Sequence, residues 1–104
     1  MTVQMPHTSL EYVYVPVLKA FRNMVGVSPT SLAVDAALMT GGGHPADGDW
    51  RAVTWTPDAS PATVRVLIGP GGVFTLAAGS YKLWVRVTGA TERPTRPVGE
   101  VRIT

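Results

Sequence analysis

Residues 79 to 88 read GSYKLWVRVT, and their side chains alternate in character. Tyr81, Leu83, Val85 and Val87 fall on one side of the run, and Lys82, Trp84, Arg86 and Thr88 on the other. Successive side chains of a β-strand point to opposite faces, so this period-two pattern calls for an extended segment with one face in a core and the other turned away from it. One strand cannot bury a face by itself. The rest of the chain has to supply further strands to cover it.

It does so in short pieces. LEYVYVPVLKAF, residues 10 to 21, sets Tyr12 and Tyr14 on one side and Val13, Val15 and Val17 on the other. Pro16 has no amide hydrogen for a ladder, which marks an edge strand or a bulge. After a break at Gly26–Pro29, SLAVDAALMT places Leu32, Val34, Ala36 and Leu38 on one face. Its alanines also suit a short helix, but the apolar spacing favours a strand. GGGHPADGD, residues 41 to 49, is a loop that its glycines make flexible. WRAVTW and TVRVLIG follow as strands, VFTL at residues 73 to 76 as a short strand or crossover, and VGEVRIT as the closing strand. Residues 1 to 9 lack periodicity and read as a flexible arm. The expectation is one all-β domain over residues 10–104, an antiparallel sandwich of about seven short strands. Its core contains Val34, Leu38, Val64, Val66, Ile68, Tyr81, Leu83, Val85 and Val87.

Several chemistries are excluded. The chain has no cysteine, so disulfides, thiolate nucleophiles and thiolate metal sites are ruled out. A net charge of +2 is too small to steer nucleic acid. Arg86, Arg93, Arg96 and Arg102 are interleaved with Glu92 and Glu100, the mixed-sign composition of a solvated face. The first residues lack the basic and apolar regions of a signal peptide, and no apolar run has the length of a membrane span. Only 15% of residues are charged, where roughly a quarter is usual, which fits a surface that lies against neighbours.

The glycine-rich stretch GPGG, residues 69 to 72, lacks the Lys and Ser/Thr with which a phosphate loop reaches phosphate and magnesium. It leads toward a strand, where a dinucleotide site opens a helix. These glycines make a turn. His44, Asp47 and Asp49 lie close together in sequence, but a lone histidine with two aspartates is common in solvated turns and lacks further oxygen ligands. No GxSxG elbow occurs, and Glu11, Asp35, Asp58, Glu92 and Glu100 are scattered rather than paired for acid–base work. No enzyme activity, metal or cofactor is expected. Trp50 and Trp55 have opposite parity on one strand, so both point inward only if that strand is bulged. One of them is expected in the core. Trp84, flanked by Lys82 and Arg86, is expected on an outer face, either as an interface anchor, with Tyr12 and Tyr14 extending the patch if their strand pairs nearby, or covered by the Lys82 and Arg86 stems or by a loop.

LAAGSYKL, residues 76 to 83, resembles the tyrosine corner of immunoglobulin-like sandwiches. Tyr81 fills the tyrosine's place and Leu83 stands where antibody domains carry a cysteine. The order EYVYVPV, SPTSLAVDAAL, WRAVTW, VRVLIGPGG, GSYKLWVRVT and PVGEVRIT resembles small structural proteins of tailed phages and prophages of actinobacteria, over roughly residues 10–104. The resemblance implies an immunoglobulin-like β-sandwich serving as head decoration, head–tail connector or tail accessory subunit. It also implies a location in the virion after synthesis in the host cytoplasm. Partners would be other virion proteins and copies of the same chain, with no small-molecule substrate, specific nucleic acid or membrane. A carbohydrate- or surface-binding module is the alternative, and two coplanar exposed aromatics beside polar loops would favour it.

Overall fold

The computed structural model describes residues 2–16, 32–57, 62–89 and 93–104. Among the described residues there are eight strands: β1 (Thr2–Met5), β2 (Glu11–Pro16), β3 (Ala33–Met39), β4 (Arg51–Ala52), β5 (Thr54–Trp55), β6 (Thr63–Ile68), β7 (Gly79–Thr88) and β8 (Thr95–Ile103). They form a five-stranded sheet in the order β1-β8-β7-β3-β4 and a three-stranded sheet in the order β2-β6-β5. Among the described residues there is no α-helix, only a 3-10 turn at Asp47–Asp49. The chain is an all-β domain of two sheets, consistent with a sandwich. Continuation of the first strand through Val17, the break at Gly26–Pro29, Asp58 and Glu92 lie outside the described residues.

The period-two pattern becomes burial directly. Leu83, Val85 and Val87 of β7 are fully buried, as are Val64 and Val66 of β6, and Ile68 is nearly so. Val13 and Val15 of β2, Val34 and Ala36 of β3, and Val101 and Ile103 of β8 complete the layer between the sheets. Replacing Leu83 by alanine removes packing there and costs about 2–5 kcal/mol. Leu38 and Tyr81, expected inside, are partly buried and pack against the margin of this core. Each stands near a strand end, where the opposing sheet covers less of it.

Three features depart from the expected architecture. Residues 2–5 are no arm: β1 runs parallel to β8, pairing Val3 with Val101 and Met5 with Ile103. Met5 is buried in the core, which repays ordering an N-terminal segment with little sequence pattern. Residues 73–76, read as a short strand or a crossover, form no strand: Phe74 makes only an isolated bridge to Ile68. WRAVTW divides between two sheets: Arg51 and Ala52 pair with β3, whereas Thr54 and Trp55 pair with β6. At the crossing, the Val53 amide donates to the Val34 carbonyl at 3.1 Å. This switch resolves the parity of the two tryptophans. Trp55 packs on the core and its indole N–H donates to the Leu32 carbonyl at 2.9 Å, whereas Trp50 lies on the outer face of the larger sheet.

Local chemistry accounts for two turns. The Gly72 amide donates to the Gly69 carbonyl at 2.9 Å around Pro70 and Gly71, and Gly71 has φ +82°. Proline at the second position and a positive-φ glycine at the third define a type II turn. GPGG is therefore a corner, and Gly69 is fitted to it: with φ +134°, a β-carbon there would collide with the Ser9 carbonyl and Leu10 Cα. At the start of β7, the Tyr81 hydroxyl donates to the Ala77 carbonyl four residues upstream, at 2.8 Å. This upstream backbone bond is the one the tyrosine-corner reading expects of Tyr81.

Candidate functional site

The outward-facing residues named from sequence occupy two different faces. Strand parity sends Lys82, Trp84 and Arg86 to the outer face of the five-stranded sheet. Tyr12 and Tyr14 lie on the outer face of the three-stranded sheet, because β2 pairs with β6 and places Val13 and Val15 in the core. The five residues therefore form no single patch.

On the larger sheet, Asp35 of β3 stands directly opposite Arg86 of β7. Arg86 Nε and Nη2 both donate to Asp35 Oδ2, at 3.2 and 3.0 Å. The guanidinium also lies over the Trp50 ring, 4.5 Å from its centroid. Both charged side chains are largely withdrawn from water, at 16% and 22% exposure. The pair is thus held by charge-assisted hydrogen bonds and a cation–π contact rather than by charge alone. Arg86 is a structural residue of this face, unlike a freely solvated cation.

Trp84 has the predicted direction and a different environment. It is only 6% exposed, with Ala37 opposite it on β3 and the His44 ring against its indole at a centroid distance of 4.9 Å. Of the two readings of this tryptophan, the covered one holds: the loop following β3 folds back over the indole, and Trp84 is no exposed anchor. Trp84 Nε1 is buried without a hydrogen-bond partner among the described residues. That leaves a donor whose desolvation costs about 1–3 kcal/mol against the packing gained.

The same geometry disperses the acidic loop. His44 is engaged with Trp84, and Asp49 Oδ2 accepts from the Ala46 amide at 2.8 Å. Arg51 donates to the Gly48 carbonyl at 2.7 Å. Three glycines notwithstanding, the loop has specific contacts at its second half. Among the described residues, no three His, Asp or Glu side chains converge as metal ligands. A concavity of about 530 Å³ lies beside this loop, lined by Met39, Lys82, Pro97 and Glu100 among others. Lys82 and Glu100 face each other across β7 and β8, so the groove presents opposed charges.

The smaller sheet is open. Tyr12 is 40% and Tyr14 52% exposed, with Leu10 also exposed just before β2. Their rings are 6.1 Å apart and inclined at 44°. Arg65 of β6 places its guanidinium 4.8 Å from the Tyr12 centroid. These aromatics and their cation form a surface with no covering loop among the described residues. Sequence parity located the tyrosines, whereas Arg65 emerges only from the β2–β6 register, which pairs it with Tyr14.

No protein-family model, curated protein or solved structure matches the chain.

Proposed function

We propose that this chain is a non-enzymatic structural subunit of a tailed-phage virion, acting by protein–protein assembly at the head or head–tail junction. In this reading the fold is an immunoglobulin-like sandwich. Two observations support that fold. The order β2-β6-β5 corresponds to strands B-E-D of such domains, and β8-β7-β3-β4 to G-F-C-C′. The Tyr81–Ala77 hydrogen bond stands at the beginning of the strand equivalent to F.

The observation that carries the assembly reading is the exposed aromatic surface of Tyr12 and Tyr14 with Arg65 beside it. Aromatic residues and arginine are enriched where proteins meet, and need no titrating group to act. The sequence resemblance supplies the virion context. The carbohydrate-binding alternative has less support: the two exposed tyrosine rings are inclined at 44°, unlike a coplanar sugar platform, and all three tryptophans are at least half-buried.

Mass spectrometry of gradient-purified particles from the phage or prophage that encodes the chain tests the proposal. The chain should be present in stoichiometric amount. Its absence from intact particles would overturn the virion reading.

A further inference from the structure

We propose that the outer edge of β2 pairs antiparallel with β2 of a second copy of this chain, joining two three-stranded sheets into one six-stranded sheet. The proposal names a partner and a surface for the assembly reading above and rests on it.

Strand β2 has β6 on one side and no described strand on the other. None of the turn and loop backbone hydrogen bonds among the described residues reaches Glu11–Pro16. Edge strands that must stay single are commonly guarded by charged side chains, by proline, by shortness or by a bulge. Between Glu11 at one end and Pro16 at the other, Tyr12, Val13, Tyr14 and Val15 carry none of these. The edge offers a row of peptide donors and acceptors for a further strand.

The strand is suited to itself. Directly opposite residues in an antiparallel pair share a face, so the outward tyrosines must meet outward residues. A twofold axis at Val13 sets Tyr12 opposite the partner's Tyr14, Tyr14 opposite the partner's Tyr12, and Val15 opposite the partner's Glu11. Shifting the axis by one residue either way leaves one tyrosine of each chain facing Leu10 or Pro16. The Val13 register alone aligns all four rings, with the two Arg65 guanidiniums flanking them. Pro16 then falls beyond the paired span, where its missing amide hydrogen is not needed. A net charge of +2 per chain sets up little repulsion between copies.

Sedimentation velocity of the purified chain over a wide concentration range should show reversible dimers. Introducing Tyr12→Lys and Tyr14→Lys together, at exposed positions, should weaken the association at least about tenfold while the circular dichroism spectrum is retained. The register has its own test, because the chain has no cysteine. Mixing a Tyr12→Cys variant with a Tyr14→Cys variant should give an oxidised cross-linked dimer more readily than either variant alone. A monomer at every concentration, or dimers untouched by the two lysines, overturns the edge pairing. Equal cross-linking in the mixture and in the separate variants overturns the register, and remains readable if the lysine variant does not fold. A chain that enters particles yet never dimerises sinks the pairing alone. One that dimerises through β2 yet is absent from particles sinks the virion reading alone.

Discussion

The two outer faces of this domain use similar residues to opposite effect. On the five-stranded sheet, Trp84, Trp50 and Arg86 are engaged within the chain: Arg86 bonds Asp35 and stacks on Trp50, while His44 covers Trp84. On the three-stranded sheet, Tyr12 and Tyr14 have Arg65 beside them and stay open to solvent. An aromatic framed by cations is thus an incomplete description of an interface. What separates the two faces is cover. The long excursion between β3 and β4 folds over one sheet, and no described loop folds over the other.

This contrast predicts a hierarchy of effects. The largest belongs to Trp84→Ala, which empties a buried site and should lower stability by about 3–5 kcal/mol in urea unfolding. A loss below about 1 kcal/mol would mean that the loop leaves the indole in solution and that the faces are alike. Gly69→Ala comes next. Its β-carbon would press on Ser9 and Leu10, which lead into β2, in a backbone region that L-residues rarely adopt. The expected cost is about 2 kcal/mol or more, measured the same way, and should be accompanied by a changed environment for Tyr12.

Arg86→Ala should cost about 1–2 kcal/mol, since it strands a partly buried carboxylate and uncovers Trp50. Because water reaches this pair only in part, the loss should change little with added salt. A strong salt dependence would make it an ordinary surface pair. The smallest effect on stability, within about 0.5 kcal/mol, is expected for Tyr14→Ala on the open face. There the consequence should appear in association. Destabilisation by Tyr14→Ala comparable to that of Trp84→Ala would erase the difference between covered and open faces.

The readable part of the fold was its alternation. In β7 and β6 the predicted inward residues are buried, apart from the partly covered Tyr81, and in β2 the alternation separates buried Val13 and Val15 from exposed Tyr12 and Tyr14, because alternation follows from the geometry of each strand's own backbone. The candidate site was legible only as directions. Parity put Trp84 on an outer face correctly, yet it carries no information on whether a loop forty residues away in sequence returns to cover that face.

Local chemistry in the sequence by itself determined the inward faces, the type II turn at Gly69–Gly72 and the Tyr81–Ala77 hydrogen bond, since each depends on residues within a few positions of one another. Tertiary structure alone decided that β1 joins β8, that the chain changes sheets at Val53, that Asp35 meets Arg86 and that His44 shields Trp84. The Asp35–Arg86 contact spans 51 positions and the β1–β8 pairing nearly the whole chain. Such meetings are selected by competition among many possible strand pairings for one shared core, and no short stretch of residues contains the outcome of that competition.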